Sequence, residues 1–244
     1  MGASPGRIVA TVLTAVATAI VIVAVSIVPF LSPPWVAFEQ GRAEAAAWTG
    51  FSDSDLRVAT DAILADLVVG PPDFDVEIGG APVLTERERA HMRDVRGVFA
   101  AFAALAAVAA VGLVLLYAGA RRAGHVDRWW RGVRNGARGL VVVVIVAAVV
   151  AYFAFDAAFE VFHRLFFAGG TYLFDPATDR LVQLFPFRFW SETTMALGAV
   201  IIVLSVAVSL VASWRLRRAA ETAADGPQAA ASATAPKAGP EAVG

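Results

Sequence analysis

Thr85–Ala120 reads TERERAHMRDVRGVFAAFAALAAVAAVGLVLLYAGA. Its second part, Val98–Ala120, carries no charge. It is long enough to cross a hydrocarbon core, which takes about 20 apolar residues. Its first part is the opposite in character. Thr85-Glu86-Arg87-Glu88 is a capping box, with Thr at the N-cap and Glu three residues on, so that each satisfies the other's backbone donor. The helix it opens needs no break before the apolar run. One helix is therefore expected to begin outside the membrane and continue through it. At 1.5 Å per residue, His91 lies roughly 10 Å above the hydrocarbon boundary, in the headgroup zone.

Working outward, three more apolar stretches can span a bilayer. The first lies in residues 1–31, from about Ile8 to Leu31. It is too long for the apolar core of a signal peptide, which has ~7–15 residues, and no good cleavage site follows it, so it reads as a retained helix. Pro29, Pro33 and Pro34 end it, and Trp35 reads as an interfacial anchor. The third span covers 140–159 and the fourth 195–214. The fold class expected is mainly α: a polytopic four-helix membrane bundle with a small α/β cap. A soluble fold is excluded by this clustering, and a net charge of −1 without a basic aromatic patch gives no sign of a nucleic-acid partner. The chain has no cysteine, which excludes disulfides, thiolate catalysis and Cys-ligated metals.

Arginines near the span ends predict orientation. Residues 121–139 carry Arg121, Arg122, Arg128, Arg131, Arg134 and Arg138, and Arg215, Arg217 and Arg218 follow the fourth span. Both segments, and with them both termini, are expected in the cytoplasm of a cell membrane. Residues 32–97 and 160–194 then face outward. The first of these also carries six Arg, offset by twelve acids. Residues 215–244, rich in Ala, Pro, Gly and Thr, read as a disordered tail.

Both outward segments read as structured. Residues 52–69 form a helix with Ser52 as N-cap and Leu56, Ala59, Ile63 and Leu67 on one face, stopped by Gly70, Pro71 and Pro72. Phe74, Val76 and Ile78 alternate with acids, as in a small hairpin or extended segment. In the second, Asp156, Glu160, His163 and Arg164 share a helix face. Phe166–Gly170 looks re-entrant, Asp175–Asp179 reads as a turn, and Leu184–Trp190 reads as an aromatic belt.

Three histidines are candidates for chemistry. His125 lies in the arginine-rich segment and reads as an ordinary solvated residue. His91 and His163 both lie outside, near the membrane surface, on helices flanked by acids: Glu88 and Asp94 around the first, Glu160 before the second. Such a pair serves either as structural hydrogen-bonding residues or as acid and base, with near-neutral pKa and carboxylates to fix the tautomer. The repeat Glu88-x-x-His91 and Glu160-x-x-His163 also admits a metal reading, although spans one and four lack the further Glu that di-iron bundles use. No G-x-S-x-G elbow is present for serine hydrolysis. Spans one, two and four offer no charged path for transport.

These same residues carry a resemblance. Glu88-x-x-His91-Met92-x-Asp94-Val95-Arg96 resembles a motif of a bacterial four-span family, the lipoprotein intramolecular transacylases. So does Phe159-x-x-Phe162-His163-x-x-Phe166-Phe167, followed by Tyr172-x-Phe174-Asp175-Pro176-x-Thr178-Asp179-x-Leu181-Val182-x-Leu184-Phe185-Pro186-x-x-Phe189-Trp190. The likeness covers most of residues 8–215. One departure is Phe187, where the family usually has Glu after the proline; Glu192 is nearby.

The resemblance implies an acyltransferase acting on a diacylglyceryl-modified lipoprotein within the bilayer. An acyl chain would move from the glyceryl sn-2 oxygen to the α-amine of the lipidated N-terminal cysteine, with no cofactor. His91 and His163 match the family's catalytic histidines. Glu88, Asp94 and Glu160 are then candidates for orienting them. Arg93, Arg96 and Arg164, with backbone amides, are candidate donors to an oxyanion. The alternatives are a non-enzymatic protein that binds lipid or a partner through its outer loops, and an E-x-x-H metal protein. Geometry separates them. Acid–base chemistry needs the two histidines within roughly 7 Å of each other beside a cleft. A metal site needs Glu88, His91, Glu160 and His163 around one point.

Overall fold

The structure is a computed structural model that describes residues 5–167 and 172–234, with side chains described to 223 in the last helix. Helix α1 spans Pro5–Ile27 and tightens into a 3-10 turn at Val28–Leu31. Helix α2 (Pro33–Arg42), α3 (Ala45–Thr49) and α4 (Asp53–Val68) follow, then strands β1 (Glu77–Ile78) and β2 (Ala81–Pro82). Helix α5 runs Glu86–Arg122, α6 Val126–Phe166, α7 Arg180–Leu184 and α8 Phe187–Thr234. Four of these helices are long and apolar enough to cross a membrane: α1, α5, α6 and α8. The apolar stretches of the sequence sit inside these longer helices. The protein is thus a polytopic four-helix membrane bundle with a cap at one end.

Helix α6 lies at the bundle's centre, packed along α8 and α1, while α5 leans mainly on α1. The α1–α6 contact is close because Gly132 and Gly136 sit one turn apart. A Cβ at Gly132 would lie 2.7 Å from Thr14 Cβ, and one at Gly136 would overlap the backbone of Ala15. Lipid supplies no hydrophobic drive between helices, so small residues that let backbones approach provide the packing gain instead. Thr14, Thr18 and Ser26 are buried on α1, and each hydroxyl donates to the carbonyl one turn back at 2.7–2.8 Å. No unpaired hydroxyl is therefore left among them.

The cap is a separate apolar core built from α2, α4, the strand segment, the start of α5 and α7, with Ile63, Phe74, Leu84 and Leu184 almost fully buried. Ser52 caps α4 by accepting from Asp55 N. The α/β part is slight: the two antiparallel strands have two residues each, with Glu77 opposite Pro82.

Several expectations change. Pro33 and Pro34 do not only end the first span. They sit at the first helical positions of α2, where a missing N–H costs nothing. The arginine-rich segment 121–139 is mostly helix. Only Ala123–His125 turn the chain, with Gly124 at φ 67°, and α6 has already begun at Val126. The helix of the fourth span continues past 215, where a disordered tail was expected, as far as Thr234, and its Ala-rich stretch favours that. Helix α6 is broken at Ala154, whose φ/ψ of −146°/49° is non-helical. The aromatic run 184–190 is not all a belt. Phe185 and Phe189 face the cap core, and of the aromatic residues in this run Phe187 and Trp190 are exposed. The glycines of the re-entrant-looking segment, Gly169 and Gly170, lie outside the described residues, as does the tail beyond 234.

Candidate functional site

The site is assembled from the first turns of α5, the last turns of α6 and the segment leading into α7. Thr85 N and Oγ1 both donate to Glu88 Oε2 at 2.7 Å, which closes the expected capping box. The same carboxylate does more. Its other oxygen, Oε1, accepts from Leu181 N at 2.6 Å, and the side chain is fully buried. Arg87 donates to Asp179 Oδ2 at 2.6 Å, and Asp175 N donates to that oxygen at 2.7 Å. The first turn of α5 thereby fixes residues 175–181. Leu184 is fixed from the other side, where Gln40 donates to its carbonyl at 3.0 Å.

One turn beyond Glu88, His91 is 5% exposed. Its ring meets Phe167 and Phe174 edge-on, with centroids 4.8 and 5.4 Å away. On its remaining side lies His163, with centroids 6.1 Å apart and ring planes only 21° from parallel. The spacing needed for an acid–base pair is met. His163 rests on Phe159 and Tyr172, and its Nδ1 is 2.8 Å from Phe159 O. A carbonyl only accepts, so Nδ1 carries the proton and Nε2 keeps the lone pair. Helix α6 therefore presents His163 as a defined tautomer.

His91 lies seven residues before the apolar run that starts at Val98. Burial, and secondarily the facing His163, lower its pKa to about 4. Its Nδ1 is buried with no partner among the described residues. Such a ring stays neutral where an ordinary histidine charges. The unfolded chain binds the proton near pH 6.5 and the folded one near 4, so stability is full above 6.5 and declines as pH falls through that window. We expect thermal melting in detergent to fall between pH 6.5 and 4 for the native chain, and the fall to flatten in His91→Gln.

The expected orienting acids take other places. Glu88 does not reach His91, because its two oxygens are occupied by Thr85 and Leu181. Glu160 pairs with Arg164 one turn along α6 rather than with His163. Asp94 is exposed and acts on His91 only through its charge. Phe159 O takes the orienting role at His163, and no sequence signal marks a backbone carbonyl for it. The arginines are also engaged elsewhere. Arg93 pairs with Glu86 at 2.6 Å. Arg96 donates to the carbonyls of Asp66 and Gly70, closing the end of α4. Arg164 is largely exposed beside Glu160. Glu88, His91, Glu160 and His163 do not surround one point, and no cluster of three His, Cys, Asp or Glu fit for a metal exists among the described residues.

A groove of about 600 Å³ lies between α2, α6 and α8. Trp35, Phe38, Tyr152, Phe155 and Phe187 wall it. Phe155 of its wall stacks on Phe159, which in turn lies against His163; neither histidine lines the groove itself. At its polar edge Arg42 binds Glu192 at 2.6 Å beside buried Glu39. Burial and the neighbouring Glu192 raise the pKa of Glu39 above the usual carboxylate value. The positions of Glu39 and Glu192 near two span ends were legible in the sequence, but not their meeting.

Comparison with known proteins supplies the class. Residues 10–190 match the family model described as lipoprotein intramolecular transacylase Lit. No curated protein sequence matches. Among solved structures, the membrane-integral lipoprotein intramolecular transacylase Lit from Bacillus cereus superposes with a TM-score of 0.74 at 14% identity, covering 88% of this chain and 98% of that one. A histidine-to-arginine variant of that protein superposes at 0.70 with 15% identity, covering 89% and 95%. A histidine-to-alanine variant gives 0.70 and 15%, covering 88% and 96%. The chain belongs to the lipoprotein intramolecular transacylase family and is a membrane-integral acyltransferase.

Proposed function

We propose that this enzyme moves an acyl chain from the glyceryl sn-2 oxygen of a diacylglyceryl lipoprotein to the α-amine of its N-terminal cysteine, with His91 and His163 as acid and base. The observation that carries the reading is the facing pair of rings, 6.1 Å apart, one buried and one tautomer-fixed.

The steps balance without a further reactant. The neutral amine attacks the ester carbonyl, forming a C–N bond. His163 Nε2 takes a proton from that nitrogen. The tetrahedral centre collapses, the C–O bond to glycerol breaks, and the glyceryl oxygen takes a proton from a histidine. Amine and ester belong to one molecule, so holding the lipid supplies much of the rate through proximity. The aromatic groove beside Phe155 offers room for an acyl chain. The arginines of the sequence reading are paired elsewhere, so backbone amides are the better candidates for the oxyanion. Expression in a strain lacking N-terminal lipoprotein acylation, followed by mass analysis of lipopeptides, tests the reading. N-acylated peptide with one fewer chain on glycerol is expected. An unchanged diacylglyceryl lipopeptide would end it.

The side of the membrane belongs to the same proposal. The arginines of 121–138 and 215–218 favour a cytoplasmic location for that end and for both termini, which leaves the cap extracytoplasmic. The chain has no cysteine, so single-cysteine variants report directly. Ser54→Cys in the cap is expected to react with an impermeant maleimide in intact cells, and His125→Cys only after lysis. The reverse pattern would invert the topology.

A further inference from the structure

The end of the bundle away from the cap carries a second groove that the chemistry above does not use. It has a volume of about 410 Å³ and lies between α1, α5, α6 and α8. Trp129, Trp130 and Val133 form one wall, and Ile22, Leu113 and Val208 the others. Thr18 supplies the only hydroxyl, and its proton is already given to Thr14 O. The groove therefore suits hydrocarbon alone.

Its mouth is different. Arg215 of α8 lies over the ring of Trp130 at 5.8 Å and over Trp214 at 5.0 Å, and Arg218 covers Trp214 at 4.2 Å. Arg134 follows Trp130 by one turn of α6, and helical side chains lean toward their helix's N-terminus. Arg134 thus lies one turn from the residue that Arg215 covers. Its Nε is buried with no partner among the described residues. Arg121, Arg122 and Arg128 belong to the same end of the bundle, around the α5–α6 turn. Of the arginines at this end, only Arg131 makes an ion pair among the described residues, with Asp127. Guanidiniums without an ion pair among the described residues and indole rings thus lie together at the Trp130 side of a hydrocarbon slot.

That combination matches a lipid with a negative headgroup. A zwitterion would bring its own cation against these arginines. A free phosphate would leave the slot empty. Basic pockets between membrane helices bind anionic headgroups, and each nearby Lys or Arg adds about 1 kcal/mol, or about fivefold in affinity. We infer that this groove binds one anionic diacyl phospholipid, its phosphate held by Arg215, Arg218 and Arg134 and one acyl chain lying along Trp129 and Trp130. The site does not depend on the reaction assigned to the histidines.

Native mass spectrometry of the full chain decides it. The protein is offered equimolar dioleoyl phosphatidylglycerol and dioleoyl phosphatidylcholine. Phosphatidylglycerol retention about tenfold or more above phosphatidylcholine is expected; equal retention overturns the site. In Arg215→Gln/Arg218→Gln the preference should fall by about tenfold or more, each guanidinium contributing about fivefold. A preference kept in full overturns the headgroup assignment. Ala207→Phe fills the slot and should abolish retention of phosphatidylglycerol; unchanged retention overturns the chain's placement. Glycerol 3-phosphate offered to the native chain should not bind. Binding as tight as that of the lipid would mean an anion site without a role for the groove.

Discussion

His163→Ala is expected to lower N-acylation of a model lipoprotein by about 10²–10⁴-fold, the range a positioned acid or base contributes. The argument rests on what surrounds the ring. Its aromatic neighbours are Phe159, Phe162, Phe167 and Tyr172, with His91 facing it. None of the phenylalanines can carry a proton. His91, the other histidine in contact with it, already serves as its partner in the reaction proposed above. His163 is only half-buried, so removing it should leave the melting temperature nearly unchanged. His91→Ala should reduce the rate as severely and also destabilise the cap, because it empties a space enclosed by Phe167 and Phe174. Lipopeptide mass analysis alongside melting in detergent separates the two effects. A His163→Ala enzyme retaining a tenth of native activity would remove that residue from the chemistry.

The second large effect is expected at a residue that touches no substrate. Glu88→Ala removes the acceptor for Thr85 N, Thr85 Oγ1 and the buried Leu181 N. A buried donor left without a partner costs about 1–3 kcal/mol, and here two backbone donors lose theirs. The sum, about 2–6 kcal/mol, corresponds to a drop of about 4–24 °C in melting temperature for a chain of this size. Hydrogen exchange should quicken at residues 175–185, since Asp179 and Leu181 are tied to the same turn of α5. Glu88→Gln keeps one carbonyl oxygen for a donor and should fall between the two. If Glu88→Ala melted with the native protein, the carboxylate would not hold the segment in place.

What was legible in the sequence depended on how local each feature is. The spans follow from runs of apolar residues, and Thr85–Glu88 from a four-residue pattern, so both could be read directly. The two histidines could be placed at one depth because each extends a span by a few residues. Partners far along the chain could not be read. The contact of Glu88 with Leu181, and that of Arg96 with the end of α4, are set by tertiary packing that no spacing reveals. Glu160 had two candidates one turn or less away, and the arginine at i+4 won over the histidine at i+3. The break at Ala154 carries neither proline nor glycine to announce it. Prolines 33 and 34 were ambiguous by nature, since the same ring that stops one helix can start the next.

The bond from Glu88 to Leu181 joins residues 93 positions apart. It therefore constrains the order in which the protein can be made. When the second and third spans have just entered the bilayer, both histidines exist, yet Phe174 and the amide of Leu181 have not been synthesised. His91 is then open on one side, and Glu88 has only its own helix end to bind. His91 becomes enclosed only after α7 has emerged and docked, with the fourth span following. A nascent chain that stops short of α7 thus carries both histidines without the contacts that bury His91.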